Sequence, residues 1–299
     1  MTKYSILFIK TIERFYTGAG EAIGIIDNQL IRERITEFPF IQGSSIKGVL
    51  RDNLSDKIHK DILEALFGPE PSQGEEHAGA VSFGDAQILA MPIRSLKGCF
   101  VWATSPLILH RFAERVKIAG LSISSLNLLV TTLYSQNNKV LICNGSNEIL
   151  LFGGEILLEE YALKTQVSSE LKTFATEISN IIFSVDENFL KTQFQNKLII
   201  LPDDHFKYFA QHATEVIPNI RIGEKGTTKT GSLRHTEHLP QETILYSLIT
   251  FEKSRKPNSN LPEDDVKNNF DGFITAQPTI KFGGDKTTGK GLVKLKIWG

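Results

Sequence analysis

Strand-like and helix-like segments alternate irregularly along this chain of 299 residues, and that order restricts the folds open to it. Residues 3–10 (KYSILFIK) have the apolar character of a strand. Residues 17–45 are Gly-rich and irregular, and they precede a helix that opens at Ser44 or Ser45. Because the connections are longer than a compact βαβ unit needs, we predict an α+β fold rather than a doubly wound parallel sheet, built as a single elaborated domain over residues 1–299.

Two helices are predicted from both their caps and their apolar faces. Ser105 can act as the N-cap, Pro106 suits the first helical position, and Gly120 can end the helix. Residues 168–183 repeat the pattern, with Ser168 or Ser169 as the cap. The apolar residues at helical spacing predict the buried faces, which are Ile108, Phe112 and Val116 in the first helix and Leu171, Phe174, Ile178 and Ile181 in the second.

The other regular segments are shorter. Runs rich in Val, Ile, Phe and Trp predict strands, at residues 80–91, 98–104, 197–201 and 292–298. Helices are predicted at residues 203–213 and after Pro262. Residues 215–252 contain a strand-like segment (EVIPNIRIG), a polar tip (residues 224–240) and a second strand-like segment (ETILYSLITFE). This last pattern predicts a long hairpin.

Composition excludes some classes of protein and leaves nucleic-acid binding open. Lys plus Arg number 33 and Asp plus Glu number 34, so no global positive field marks a nucleic-acid partner, although a local basic track is compatible with a net charge of -1. No apolar run is long enough to span a membrane, and the apolar opening is too short for a signal peptide. The two cysteines, Cys99 and Cys143, form no zinc motif. We therefore expect a cytoplasmic protein without a membrane partner.

The segment GSSIKGVLRD, residues 43–52, is a candidate phosphate site. It places two hydroxyls and Lys47 in the first turn of a helix, where unpaired N–H groups and the helix dipole favour an anion. A lysine at that end opposes the dipole, which suggests that a bound phosphate supplies the negative charge. The alternative is an ordinary serine cap beside a solvated lysine. The segment RSLKG, with Arg94 and Lys97, shows a weaker form of the same pattern.

The segment GGDKTTGKG, residues 283–291, resembles a nucleotide-binding P-loop but departs from it. Gly291 stands where the Mg²⁺-binding hydroxyl belongs, and too few residues follow for the remainder of an NTPase, so we exclude ATP hydrolysis. Glycines with free N–H groups, together with Lys286, Lys290, Thr287 and Thr288, suit a phosphodiester backbone. The alternative is a plain turn between the last two strands.

Two carboxylates are candidates for chemistry. Asp27, in GIIDNQLIRERIT, is followed by Arg32 and Arg34 and could act as a base or a metal ligand, or it could cap its own turn. Asp85 is predicted to be a structural hydrogen-bonding acid. In the hairpin tip, Lys225, Lys229 and Arg234 suit a finger laid on nucleic acid, or simply a solvated loop. His235 and His238 flank Glu237, but an H-x-x-H spacing alone is a poor indication of zinc.

Three motifs that follow one another along the chain are more specific together than any of them alone: residues 18–52, residues 79–112 and the Gly-rich residues 283–291. Taken together they resemble the RAMP superfamily of CRISPR proteins, and within it the backbone subunits of type III-B Cmr effector complexes. The resemblance spans most of the chain. One departure is Tyr16, which stands where many relatives have a histidine. The equivalent subunit of type III-A complexes is a related alternative, and a purely structural RNA-binding subunit is another.

The resemblance implies an RRM-like (ferredoxin-like) palm with helical insertions, among them a mainly helical insertion at residues 120–213, and a protruding β-hairpin thumb at residues 214–242. It implies several copies stacked on crRNA with other Cmr subunits, and cleavage of the paired target RNA at regular intervals. A divalent metal, Mg²⁺ or Mn²⁺, is expected to assist. Asp27 matches the catalytic acid and a possible metal ligand, and Glu237 and His238 fall near the cut. The RNA-binding residues predicted from the motifs and the resemblance are Gly43, Ser44, Ser45, Lys47, Arg51, Arg94, Lys97, Arg221, Lys225, Lys229, Gly283, Gly284, Lys286, Thr287 and Gly289.

Overall fold

The computed structural model describes residues 1–21, 26–70, 77–133, 139–143, 147–151, 153–223 and 226–299. Within these ranges the α-helices are α1 (Gly43–Leu54), α2 (Lys60–Phe67), α3 (Pro106–Ile118), α4 (Ser124–Leu133), α5 (Ser169–Ile182), α6 (Asn188–Lys197), α7 (Asp203–His212) and α8 (Glu263–Ala276). None of these helices has the length and apolarity that crossing a bilayer requires.

The strands of the described residues form two sheets. They are β1 (Lys3–Thr11), β2 (Gly18–Glu21), β3 (Asn28–Leu30), β4 (Phe40–Ile41), β5 (Val81–Phe83), β6 (Ala86–Arg94), β7 (Phe100–Thr104), β8 (Val140–Cys143), β9 (Glu155–Leu158), β10 (Tyr161–Ser168), β11 (Leu198–Ile200), β12 (Glu215–Asn219), β13 (Arg234–His238), β14 (Ile244–Phe251), β15 (Thr279–Lys281) and β16 (Leu292–Trp298). The mixed α and β content agrees with the predicted class.

The large sheet runs in the order β15-β16-β1-β14-β6-β7-β11-β8-β10-β9, and β4 and β5 pair with β6 and β14. At its centre, β16, β1, β14 and β6 are each antiparallel to their neighbours. The chain passes through α1 and α2 between β1 and β6, and through α8 between β14 and β16. Helices α3 and α8 pack on β1, so Ile6 to Ile9 are all buried although consecutive strand residues point to opposite faces.

The predicted helix caps are confirmed. The Ser105 hydroxyl accepts the Ile108 N–H at the start of α3, and the Ser168 hydroxyl accepts the Leu171 N–H at the start of α5. The predicted apolar face of α3 is buried, as are Leu171, Phe174 and Ile178 of α5. The short strand β11, the helices α7 and α8 and the last strand β16 also form where the sequence predicts them.

Two boundaries differ from the prediction. Helix α1 begins at Gly43, so the predicted opening at Ser44 or Ser45 is wrong by one or two residues. The alternative of a serine cap fails as well, because the cap residue is Gln42 and its side chain makes no capping hydrogen bond. The second strand of the hairpin is β13, inside the segment predicted to be the polar tip, and it pairs with β12 from Glu215↔His238 to Asn219↔Arg234. The predicted second strand is β14, whose apolar residues are buried instead between β1 and β6. Strand β13 is polar (RHTEH) and gives no apolar signal.

A largely buried ion-pair network joins the segment before α6 to the main sheet. Lys10 of β1 and Lys294 of β16 both contact the Glu187 carboxylate, which also accepts the Ser184 hydroxyl at 2.7 Å. Burial alone raises the pKa of Glu187, but the hydrogen bonds from Lys10, Ser184 and Lys294 outweigh it and lower the pKa from 4.5 to about 2. The ionised carboxylate therefore stabilises the attachment of this segment.

This network predicts a pH-dependent stability. Because the pKa of Glu187 is lower in the folded chain, its contribution is complete above pH 4.5 and is lost as the pH falls towards about 2. We expect Glu187→Gln to lower the free energy of unfolding at neutral pH by at most about 3–5 kcal/mol, since it removes the main partner of Lys10 and Lys294 and leaves them only the longer contacts to Glu242 and Asp186. The difference in unfolding free energy between the two proteins should shrink over that acid range in urea titrations. The exposed control Glu148→Gln should follow the unsubstituted protein at every pH; a constant difference for Glu187→Gln would contradict the account.

Candidate nucleic-acid interface

Asp27 is held at the root of the hairpin by a distant strand. Its Oδ2 accepts the backbone N–H of His235 at 2.8 Å, and the Nδ1 of His235 lies 3.9 Å from the same oxygen. The Asp27 side chain is 46% exposed. The hydrogen bond spans 208 residues of sequence and does not cap a local turn. One side of the carboxylate is thus fixed by the protein while much of it faces solvent, as a group that meets a substrate must.

The small sheet explains why Asp27 meets His235. Its order is β12-β13-β3-β2, and β3 pairs in parallel with β13 through Asn28 and Thr236. The Thr236 hydroxyl accepts the side-chain amides of Asn28 and Asn219, each at 3.2 Å. Asp27 directly precedes β3, so this register carries its carboxylate to the edge of the hairpin.

Glu237 lies on β13 beside these residues but faces the interior. Its carboxylate accepts the Leu30 N–H at 2.9 Å and the Thr214 hydroxyl at 2.7 Å, and it forms an ion pair with Arg32. Arg32 in turn donates to the carbonyls of Glu37 and Ala210. With only 3% of Glu237 exposed, these contacts favour a structural role for the residue, which joins the hairpin root to β3 and α7.

His238 is also interior, with 1% of its surface exposed. Its Nδ1 lies 3.1 Å from the Thr236 carbonyl, and its ring packs 6.0 Å from that of Tyr16. Burial, assisted by the nearby Lys290, lowers the pKa of His238, so the ring is neutral at physiological pH. An imidazole so covered cannot reach a substrate in this conformation. The arrangement favours a packing role over the catalytic one that the resemblance suggests.

The Gly-rich turn, residues 283–291, connects β15 to β16 and lies against the chain after β1. The Gly284 N–H donates to the Tyr16 carbonyl at 3.1 Å, and the Gly291 N–H donates to the Arg14 carbonyl at 2.8 Å. Gly283 has a φ of 75°, and a Cβ there would lie 2.1 Å from the Tyr16 carbonyl oxygen. The glycines are therefore required by this close approach. The predicted run of free amides is wrong at Gly284, Gly289 and Gly291, because the Gly289 N–H donates to the Lys286 carbonyl at 3.4 Å. The turn presents Thr287 and Gly289 to solvent beside a half-buried Lys286.

A cavity of about 570 Å³ lies at the start of α1, and we call it the α1 cavity. Ser44, Lys47, His77 and Arg255 are among its lining residues, and Ser45 is exposed on the next position of the helix. The first turn of α1 contains no acid of its own, and the Gly43 N–H donates instead to Asp85 at 2.8 Å. Asp85 is thus a structural hydrogen-bonding acid, as predicted. Lys47 is the fifth residue of α1, one or two residues farther from the helix start than the sequence predicts.

Three of the predicted RNA-binding arginines and lysines lie away from this cavity or are already engaged. Arg51 donates to the Gly68 carbonyl, and its Nη2 lies 3.6 Å from Glu70. Arg94 pairs with Glu159 at 2.8 Å at the far end of β6, next to the exposed Lys97. The nine residues of β6 separate that end from Asp85 by about 25 Å.

The predicted hairpin residues lie near its tip. Arg221 and Lys229 are both exposed, and the Lys229 N–H donates to the Arg221 carbonyl at 2.8 Å. The Ser232 hydroxyl accepts the Arg221 N–H at 3.0 Å. Lys225 lies outside the described residues. The Gly-rich turn lies near the root of the hairpin, where Lys290 is close to His238, whereas neither element lines the α1 cavity.

Comparison with known proteins places this arrangement in a family. A family model described as the RAMP superfamily matches residues 8–294. The chain belongs to the RAMP superfamily. It is 32% identical over 298 residues to the CRISPR system Cmr endoribonuclease Cmr4 of Pyrococcus furiosus, covering 99% of this chain and 96% of that protein.

Solved RAMP structures share the fold over the whole chain. The crystal structure of oligomeric Cmr4 from Pyrococcus furiosus matches with a TM-score of 0.73 and 26% identity, covering 99% of this chain and 98% of that one. The cryo-EM structure of a type III-B Cmr-beta complex bound to cognate target RNA contains a chain with the same fold, with a TM-score of 0.75 and 21% identity over 98% of this chain and 96% of that one.

This RAMP chain has no preformed metal cage within the described ranges, where no group of three or more His, Cys, Asp or Glu side chains is placed to hold an ion. Asp27, with His235 beside it, supplies at most two donors, so the protein alone does not fit a resident metal. Sequence reasoning also missed His77 and Arg255, which line the α1 cavity from separate loops. Neither belongs to a recognisable motif, and only the fold brings them to Lys47.

Proposed function

We propose that this chain is a backbone subunit of a type III-B CRISPR effector complex that polymerises along crRNA and cleaves complementary target RNA at regular intervals. The observation that carries the proposal is the 32% identity to the Cmr4 endoribonuclease over 99% of the chain. The full-length match to an oligomeric Cmr4 structure supports assembly with further copies. The remaining partners in this proposal are crRNA, single-stranded target RNA and other Cmr subunits, in the cytoplasm.

The proposal includes an RRM-like palm. Its support is the antiparallel order β16-β1-β14-β6. In chain order these four strands are β1, β6, β14 and β16, so the first lies between the fourth and the third, and helices occur in the connections from β1 to β6 and from β14 to β16. We assign residues 214–242 as the thumb, because β12 and β13 pair with each other as a hairpin in the small sheet, apart from the main one. Residues 120–213 form the insertion within one elaborated domain over residues 1–299, and they contribute α4 to α7 together with β8 to β11.

For cleavage, we assign Asp27 as the catalytic carboxylate. A target nucleotide displaced from A-form stacking can align its 2′-hydroxyl with the next phosphorus, and a carboxylate beside it can accept the hydroxyl proton during in-line attack. As the 2′-oxygen bonds to phosphorus, the bond from phosphorus to the 5′-oxygen of the following nucleotide breaks, and that oxygen takes a proton from solvent. The Asp27 side chain is half-exposed and oriented by the His235 N–H, which suits that task. A divalent ion such as Mg²⁺ or Mn²⁺ would bind here only with RNA phosphate oxygens completing its ligands, and it would supply charge neutralisation.

For the guide strand, we assign the α1 cavity and the Gly-rich turn as backbone contacts. The α1 cavity joins the start of a helix with Lys47, His77 and Arg255, and Glu252 also lines it and pairs with Arg255. Helix N-termini with nearby cations favour phosphate, and Lys47 is the cation that forms no ion pair among the described residues. The turn adds Lys286 and Thr287 from a rigid main-chain support. Both elements contact phosphates and not bases, so the contact would be independent of the guide sequence.

Lys47→Ala tests this assignment. We expect weaker crRNA binding and a shallower dependence of the logarithm of affinity on the logarithm of salt, by about 0.7 to 0.9 per lost phosphate contact. Filter binding or fluorescence anisotropy over a salt series measures the slope. The matched control is Lys60→Ala, a lysine of α2 that pairs with Glu64, and it should leave the slope unchanged. An unaltered slope for Lys47→Ala would remove Lys47 from the interface.

A further inference from the structure

A second cavity, of about 670 Å³, lies at the root of the hairpin, and we call it the root cavity. Its walls come from the ends of β6 and β7, the turn between β9 and β10, the end of α7 and the segment between β13 and β14. Glu159, Glu160, Glu215 and Glu242 line it together with Phe100 and Tyr208. Its lining residues do not include Asp27, and none of them belongs to the α1 cavity or to the Gly-rich turn.

The root cavity has an excess of negative charge. Arg94 pairs with Glu159, and Arg14 pairs with Glu215 from outside the cavity. Glu160, exposed at the rim, forms no ion pair with any described residue, and the buried Oε2 of Glu242 accepts no hydrogen bond from the described part of the chain. The nearest cation to that oxygen is the Lys10 ammonium at 4.0 Å. Burial, with Glu187 nearby, raises the pKa of Glu242 despite Lys10.

The aromatic wall restricts the kind of cation that fits. The Tyr208 and His212 rings stack 4.4 Å apart, and the Tyr208 hydroxyl contacts that of Tyr161 at 3.0 Å. A guanidinium group suits such a wall better than an ammonium, because it is planar, stacks on aromatic rings and donates to two carboxylate oxygens at once. The cavity therefore has the chemistry of an arginine receptor.

The same chain carries the complementary group at the other end of the hairpin. Arg221 is exposed and forms no ion pair with any described residue, and it is flanked by Ile220 and Ile222, which are 51% and 69% exposed. In the root cavity, Ile220 and Ile222 would be covered by apolar lining residues such as Phe100. The hairpin is held extended by its pairs up to Ile222↔Thr228, so Ile222 lies about 25 Å from Glu215 at the root. Arg221 thus cannot enter the cavity of its own chain.

We propose that the root cavity of one copy receives Arg221 of a second copy of this chain, with Glu160 and Glu242 as its carboxylate partners. Root and tip are different surfaces, so the contact is head-to-tail and extends into an open array, with each copy offering one cavity and one arginine. The inference rests on the self-assembly in the proposed function and gives it a specific contact. It assigns Arg221 to protein rather than to the RNA phosphate that the sequence pattern predicts.

A charge exchange tests the contact. The full chain and its variants are mixed with a long single-stranded RNA at fixed salt, and the concentration at which copies associate is measured by sedimentation velocity or mass photometry. We expect Arg221→Glu and Glu160→Arg each to raise that concentration at least about tenfold. The double variant, which restores opposite charges, should return it to within about threefold of the unsubstituted protein. Both positions are exposed, and circular dichroism checks that each variant is folded.

Controls separate this contact from RNA binding. Lys139→Glu and Asp56→Lys make the same charge changes at exposed positions outside the cavity and the hairpin, and they should associate like the unsubstituted protein. Affinity for an RNA too short for two copies should be unchanged in Arg221→Glu. Single variants that associate normally, or a double variant no better than the singles, would overturn the contact. An unsubstituted chain that does not assemble on RNA at all would overturn the proposed function as well.

Discussion

Asp27→Asn should abolish target cleavage while leaving RNA binding intact. Asparagine keeps an oxygen that can accept the His235 N–H, so the local geometry survives, but the group can neither take up a proton at neutral pH nor carry a negative charge. The expected loss in cleavage rate is about 10²- to 10⁴-fold. Single-turnover cleavage of a labelled target in the assembled complex measures the rate, and anisotropy measures binding.

The control is Asp264→Asn, an exposed aspartate of α8 whose nearest cation is Lys3. We expect this variant to cleave the target RNA at the same rate as the unsubstituted protein. Retained cleavage in Asp27→Asn would disprove the catalytic assignment and leave the alternative of a non-catalytic crRNA-binding scaffold. Equal losses of cleavage and of target binding would point to a positioning role for Asp27 instead.

Glu237→Gln should destabilise the protein more than any substitution at the exposed edge of the hairpin. The change removes the partner of Arg32 in a buried site and weakens the acceptor for the Leu30 N–H and the Thr214 hydroxyl. Breaking one member of a buried ion pair costs about 3–5 kcal/mol, since the other charge stays buried. Urea unfolding measures the loss, and we expect cleavage to fall with it because the same strand holds Asp27.

Two variants distinguish structure from chemistry at this position. The double variant Arg32→Met with Glu237→Leu removes both charges and should recover the part of the loss that comes from an unpaired Arg32. The Leu30 N–H and the Thr214 hydroxyl still lose their acceptor, so we expect the recovery to be partial. The exposed control Glu160→Gln should change stability by less than about 0.5 kcal/mol. If Glu237→Gln folds with unchanged stability and yet loses cleavage, the residue acts in the reaction and the structural interpretation fails.

Local signals explain which parts of the fold the sequence predicts. Ser105 and Ser168 each satisfy an N–H of the helix that follows them, and such caps act within four residues. The apolar faces of α3 and α5 and the apolar run of β1 need no knowledge of the remaining chain. In the same way Asp85, close to a buried strand, is correctly predicted as a structural acid.

Long-range contacts explain what the sequence does not predict. Strand β13 is polar, and it is buried because its residues pair with Arg32, Asn28 and Thr214 rather than because they are apolar. From hydrophobic periodicity alone, β13 is therefore predicted to be a loop, and β14 is predicted to be the second strand of the hairpin. His77 and Arg255 reach Lys47 only through the packing of three separate segments. The roles of Asp27 and the RNA-binding residues stay predictions, which the experiments above examine.

Sequencing the RNA that copurifies with this chain from its own host tests the central claim most directly. The account predicts small RNAs of defined length that begin with a repeat-derived sequence followed by varied guides, bound to several copies of the chain through their backbone. Random cellular RNA fragments, or protein that carries no RNA when its isolation preserves the assembly, would contradict it.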